Sequence, residues 1–317
     1  MTQALEQTRE CGPLAVDMRP VDFMLAFVVT FLPPLAFVLG VWLWYRGTLV
    51  PGPIELGTML VIHFGGIAGV ELGFHRLFAH RSYKASRGLK IALACLGSLA
   101  FQGPAIWWAS IHRKHHRYSD RPGDPHSMYL FDTEGKWTLR GAMHAHIGWI
   151  WSERSVGRGG FARYARDLYR DRDIFWIHMK YPYFMLAGFV LPALISGVAH
   201  GSWRGAACGL LWGGFARIFF ANHLTYWCIN SVTHGVGKRA YRTSDRSTNL
   251  SVLALVTLGQ SWHNNHHAFP WSAVMGHRPG QIDPGAWILR LFRRFGWVHD
   301  MKVPLPEQME HKQLRPD

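Results

Sequence analysis

Histidine carries most of the chemistry this sequence offers. There are 19 histidines, and three clusters stand out: His75-Arg-Leu-Phe-Ala-His80, His112-Arg-Lys-His115-His116 and His263-Asn-Asn-His266-His267. Residues at i, i+3 and i+4 share one face of a helix, so the second and third clusters each project three imidazoles in one direction. The first pair is spaced i, i+5, about 140° apart on a regular helix. Its two histidines either sit where the helix distorts or serve different ions. A lone histidine is usually a satisfied polar or interfacial residue, but eight of them in three spaced clusters make a metal site. Imidazole-only ligation suits Fe, Zn, Cu or Ni rather than Mg or Ca. Eight ligands are too many for one ion, so two ions are implied. A fourth element, Asn230-Ser-Val-Thr-His234, places two polar residues at i, i+4. Alone it would be a polar helix end; beside the clusters it could complete the coordination.

The elements that must position these residues are apolar. Phe23–Tyr45 runs about 23 residues without a charge, enough to cross a bilayer even with Pro33 and Pro34 inside it. Spans are predicted at about 23–45, 57–74, 183–198 and 206–229, joined in pairs by short turns at 46–53 and 200–205. Leu89–Phe101 is too short to cross and reads as a re-entrant or interfacial helix. Gly285–Val298 mixes aromatic and basic residues at helical spacing, as an interfacial amphipathic helix does. The fold class is therefore all-α: an integral membrane bundle of four helices in two hairpins. A helical cap (75–180 and 230–317) carries the histidines, and 1–317 forms a single domain. The two large polar segments are rich in Lys and Arg and the short turns are not. By the positive-inside rule both termini and the site lie in the cytoplasm, in a multi-pass protein of a bacterial inner membrane.

Composition agrees. Hydrophobic residues are 49% and charged residues 17%, below the soluble average, so the net charge of +14 faces anionic lipid, an acidic redox carrier or an anionic substrate rather than nucleic acid. Cys11, Cys95, Cys208 and Cys228 form no C-x-x-C pair, which removes a disulfide scaffold and a thiolate metal site. Residues 1–20 are polar and give no secretory signal; the first span reads as a retained anchor. Glu71 and Arg217 are charges inside spans, either paired within the bundle or concerned with substrate.

The segments HRLFAHRSYKA, WASIHRKHHRYSD, DPH, HIGWIW, WCINSVTH and HNNHHAFP, spread over residues 70–270, resemble the membrane fatty-acid desaturases, nearest the acyl-CoA Δ9 (stearoyl-CoA) branch. The resemblance implies two irons held by His75, His80, His112, His115, His116, His234, His263, His266 and His267, with Asn230 contacting one iron through a water. It implies no catalytic side chain beyond these ligands, and O2 as co-substrate. It also implies a bent acyl tunnel lined by Trp108 and Trp227, with Gln102 near the bend, for a long-chain acyl-CoA or acyl lipid. The implied reaction inserts a cis double bond, at Δ9 in that branch. Hydroxylation and acetylenation by the same centre are the alternatives, and a histidine-rich metal transporter is a remote one. The animal branch has Trp-Ala-Arg-Asp where this chain reads Trp108-Ala109-Ser110-Ile111, and that Arg and Asp hold CoA, so the acyl carrier stays open. His126 and His146 match family positions but are not implied ligands. No G-x-G-x-x-G loop is present, and His277-Arg-Pro-Gly280 is a poor haem motif. Electrons must therefore come from a separate ferredoxin-like carrier and its reductase.

Overall fold

The computed structural model describes residues 20–131, 136–151, 160 and 163–314. Most of the polar stretch 1–20 that precedes the first span, Cys11 included, lies outside them. The chain is mostly helical. In order come α1 (Pro20–Tyr45), α2 (Pro53–Ala79), β1 (Lys84–Ala85), α3 (Arg87–Ser98), α4 (Ala105–Tyr118), α5 (Leu139–His146), α6 (Arg172–Met179) and α7 (Tyr181–His200). Then follow α8 (203–232), α9 (His263–Ala268), α10 (Pro284–Arg294), β2 (Val298–His299) and α11 (Pro306–Lys312). The two strands pair antiparallel, with Lys84 opposite His299.

Among the described residues, three helices are long and apolar enough to cross a membrane: Asp22–Tyr45, Pro53–Ala79 and Tyr181–His200. The fourth predicted span falls within α8, which is helical throughout but alternates between α-turns and two wider π-helical stretches, Leu210–Ala216 and Phe220–Tyr226. It packs against α1, α2 and α7. The outward faces of the spans carry Leu35, Val38, Val61, Leu186 and Val198 exposed, as lipid-facing positions are.

Polar ties fix both ends of the bundle. At the end of the short turns, buried Glu55 accepts hydrogen bonds from Ser196 and His200, and Arg204 donates to the Thr48 carbonyl. Inside, Arg217 donates to the carbonyls of Gly213, Leu99 and Gly188. Its guanidinium thus meets one carbonyl at the C-terminal end of α3 and one each in α7 and α8, and no carboxylate among the described residues. The predicted re-entrant helix is α3, which lies close against the second half of α2. A Cβ at Gly69 would sit 2.0 Å from the Gly97 nitrogen, so only glycine permits this approach.

The amphipathic segment is α10. Leu289 is fully buried beneath it, while Trp287 and Leu291 stand out. Asp283 starts it by accepting from the Ala286 N–H.

Candidate metal centre

The second half of α2, Gly69–Ala79, is wound as a π-helix, and the His80 N–H bonds the His75 carbonyl at 3.0 Å, an i→i+5 bond. This resolves the i, i+5 spacing: the helix distorts, and the wider turn brings His75 and His80 to one face. Their rings lie 4.9 Å apart. Arg113 of the second cluster secures the end of this turn, donating from Nε to Ala79 O at 2.9 Å and from Nη2 to Phe78 O at 2.5 Å while pairing with Asp167. Arg76, fully buried, donates to Ala273 O, Leu258 O and Asp283 Oδ1 at 2.9–3.0 Å, tying the first cluster to the segments on either side of the third.

The nine predicted histidines come together in two groups. His75, His80, His112, His116 and His266 form one; His115, His234, His263 and His267 form the other. Within each group the ligand atoms lie within 4.8 Å of one another. The second and third clusters therefore each serve both groups. The spacing does give one helix face, but His112 and His116 lean to one group and His115 to the other; likewise His266 parts from His263 and His267.

The ring nitrogens converge through Nε2. Separations are 3.0 Å for His75–His266, 2.8 Å for His80–His112, 3.0 Å for His112–His116 and 2.9 Å for His116–His266. In the second group they are 3.0 Å for His234–His263 and 3.1 Å for His263–His267.

The opposite nitrogens meet carboxylates. His75 Nδ1 faces Glu71 at 3.2 Å, His115 Nδ1 faces Asp124 at 3.0 Å, His234 Nδ1 faces Asp120 at 2.8 Å and His267 Nδ1 faces Asp245 at 2.9 Å. Each of these imidazoles donates from Nδ1, leaving the Nε2 lone pair pointing inward. In the second group two such lone pairs flank His263 Nε2, which has at most one proton to share, so a cation is the partner that suits all three. Asp124 is itself positioned by the backbone N–H groups of Asp120 and His126. The sequence reading missed the roles of these four carboxylates, although DPH and YSD contain two of them. An acid near a histidine cluster was the available signal, but only the fold brings Asp245 to His267.

The protonation states fit ligation. Burial pushes His80, His112, His116, His263 and His266 well below the usual imidazole range, and His267 down to about 4 despite Asp245. Neutral imidazole is the form that binds metal. For His234 burial also acts downward, but Asp120 outweighs it and the net shift is upward. Burial would raise Asp124 and Asp245, yet His115 and His267 hold them below the usual carboxylate range.

A cavity beside the histidines is lined by Gln102, Trp108, Trp227 and Asn230, together with Trp107, Trp149 and Tyr226, and reaches His112, His115 and His263. Trp108 stacks on His112 at 4.9 Å. Gln102 donates to Asn222 Oδ1 at 2.6 Å, a partner the sequence did not suggest. His126 stacks on His115 at 4.3 Å and also lines this cavity, outside both groups of histidines. His146 bonds Ser231, next to Asn230.

The sequence model of the fatty acid desaturase family matches residues 52–279. Among curated relatives, the chain is 37% identical over 294 residues to a hex-5-enoyl-[acyl-carrier protein] acetylenase of Moorena producens, covering 92% of this chain and 89% of the relative. It is 32% identical over 260 residues to an sn-1 stearoyl-lipid 9-desaturase of Synechocystis, covering 82% and 74%. It is 35% identical over 240 residues to an acyl-CoA C20 Delta5-desaturase of Anemone leveillei, covering 75% and 70%. The chain belongs to the fatty acid desaturase family, and with its three apolar helices it is a membrane protein.

Proposed function

We propose that this chain is a di-iron fatty acyl desaturase that uses O2 and two externally supplied electrons to place a cis double bond in a long-chain acyl group. The observation that carries this is the pair of Nε2-convergent histidine groups set against an aromatic-lined cavity. Family membership and relatives that act on acyl-CoA and acyl lipid support the oxidoreductase reading.

The donor set fits two irons. Neighbouring ligands at right angles around an ion about 2.1 Å away would stand about 3.0 Å apart, and tetrahedral ones about 3.4 Å. The observed 2.8–3.1 Å separations are of that order, so the Nε2 atoms of each group are close enough to share one ion. Four carboxylates behind nine imidazoles would balance two divalent ions. When bound, the irons supply the redox chemistry with O2 that removes hydrogen from two adjacent methylenes.

The chain's own residues do the rest. The nine histidines hold the irons, and Asn230 reaches one of them through a water. Glu71, Asp120, Asp124 and Asp245 fix tautomer and ring direction. Trp108 and Trp227 wall the acyl chain and exclude water, and Gln102, held by Asn222, sets the chain's course and hence the carbon presented. No other side chain is required to act as acid or base on the substrate. We place α1, α2, α7 and α8 as a four-helix, two-hairpin bundle in a bacterial inner membrane, within one domain whose termini and active site face the cytoplasm. The carrier of the acyl group is CoA, a lipid or a carrier protein.

A second reading, acetylenase or hydroxylase chemistry at the same centre, is favoured by the Moorena relative. Expression in a host with a compatible electron-transfer chain, with fatty acids profiled by mass spectrometry beside a His115→Ala control, separates these outcomes. A new unsaturated acid with the wild type alone supports desaturation, and its position fixes the regiochemistry. A hydroxylated or acetylenic product replaces the reaction but keeps the centre. A membrane-inserted protein with neither product nor bound iron overturns both.

A further inference from the structure

The proposed reaction needs a reductant. One –CH2–CH2– unit, O2, two electrons and two protons become –CH=CH– and two waters. On the desaturase reading both electrons arrive from a separate carrier.

A polar cleft, distinct from the acyl cavity, has His116 and His267 in its wall, one histidine from each group. The acyl cavity reaches His112, His115 and His263, and the two openings share no lining residue. The cleft therefore borders both histidine groups without sharing a wall with the acyl cavity.

Its charge is one-sided. Arg117, Arg121, Arg242 and Lys312 line it against one carboxylate, Asp245, which is already engaged by His267 and Ser247. Arg121 and Arg242 are exposed, and neither guanidinium forms an ion pair among the described residues. Lys312 Nζ donates to Ala268 O at 2.6 Å and sits 5.0 Å above the Phe269 ring, which fixes one cation directly beside the third cluster. Arg117 follows His116 in sequence. Glu307 and Glu310 line a neighbouring depression on the other side of Arg242, not this cleft.

We propose that this cleft is the docking site of a small acidic one-electron carrier protein, which delivers electrons through the edges of His116 and His267. The proposal rests on the desaturase reading. Clustered charge of one sign raises the encounter rate with an oppositely charged partner, and rim charges act mainly on association and its salt dependence. An acidic carrier would be drawn to this basic opening, where a histidine of each group lies at the wall.

The test uses full-length, iron-loaded protein in lipid nanodiscs with an acidic plant-type [2Fe–2S] ferredoxin and its NADPH reductase. The variants are Arg121→Glu, Arg242→Glu and their combination, with Arg294→Glu on α10 as an equal charge change elsewhere. A dithionite-reduced single turnover, without ferredoxin, reports the centre alone. The expected result is a rise of about 10-fold in the KM for ferredoxin in the double variant, with flattened salt dependence. Single-turnover yield stays at the wild-type level, and Arg294→Glu behaves as wild type. An unchanged ferredoxin KM in the double variant overturns the proposal. So does an equal rise in Arg294→Glu, or a rise in acyl-substrate KM alone, which would assign the cleft to an anionic acyl carrier. Wild type that turns over with dithionite but accepts nothing from ferredoxin overturns the acidic partner while leaving the desaturase reading intact. Wild type that makes no product even with dithionite removes the desaturase reading and this proposal together.

Discussion

The two histidine groups solve one problem by different means. The five-histidine group is set by helix winding. Its first two members meet because Gly69–Ala79 is π-wound, and a single carboxylate, Glu71, stands behind it. The four-histidine group is anchored by carboxylates on loops. Asp124, Asp120 and Asp245 each hold one imidazole, and all three lie outside the spans. A helix delivers ligands at fixed spacing with little help. Ligands brought from distant segments need anchors of their own to hold ring direction. The first group therefore depends on backbone geometry and the second on charged hydrogen bonds.

The largest expected effects come from removing ligands, and they should be alike. His75→Ala and His263→Ala should each lose product entirely, because the proposed reaction would need both irons. Iron analysis sharpens the contrast: each variant should keep close to one iron per chain rather than two. If both lose all iron, the groups are not independent and the comparison fails.

The next effect separates the groups. Asp245→Asn keeps the shape of the side chain but weakens the hold on His267 and removes a balancing charge. Metal affinity should fall about 10–100-fold at the four-histidine group. Glu71→Gln should cost less, since five donors share that load. Chelator titration with iron readout on both variants measures this. Equal losses would mean that the carboxylates act by net charge alone.

How much of this was legible beforehand follows the same division. All nine histidines and the cavity residues Gln102, Trp108 and Trp227 could be picked from motif text, and the structure brings them together. The partition into two groups could not. On an α-helix positions i and i+4 lie about 40° apart and i+3 on the other side of i, so a cluster that shares a face can still straddle two ions. The π-winding was legible only as an anomaly, the i, i+5 spacing of His75 and His80. The interrupted winding of the fourth predicted span was not legible, because hydropathy measures apolar length and is blind to turn width. The supporting carboxylates were invisible for a different reason: Asp245 lies 22 residues before His267, and only the loop path unites them.

A smaller effect probes the backbone side of the comparison. Arg113→Lys removes the fork that covers the Phe78 and Ala79 carbonyls and pairs with Asp167. Lysine cannot make these bonds together. Loss of about 1–3 kcal/mol of local stabilisation should loosen the end of the π-turn at His80. Iron should dissociate several-fold faster from the five-histidine group and at an unchanged rate from the other. Stopped-flow chelation would show one accelerated phase; acceleration of both phases would make Arg113 a general structural residue.

The smallest effect at neutral pH belongs to the loop side. His277 is half-buried against Tyr241 and Phe269, beyond the third cluster, and donates from Nε2 to Val274 O at 3.0 Å. Its Nδ1 is buried without a hydrogen-bond partner, so burial holds the imidazole neutral and pushes it down to about 4. In the unfolded chain it would titrate near 6.5, so between these values the unfolded state binds more protons. Stability from this residue is therefore complete above about pH 6.5 and is lost as the pH falls toward 4. At pH 5 the loss approaches about 2 kcal/mol. His277→Gln, which cannot take up that proton, should flatten the fall in Tm between pH 7 and 5 and change little at pH 7.5. If the slope is unchanged, the acid sensitivity of the loop side resides elsewhere, with the carboxylate–imidazole pairs as the first place to look.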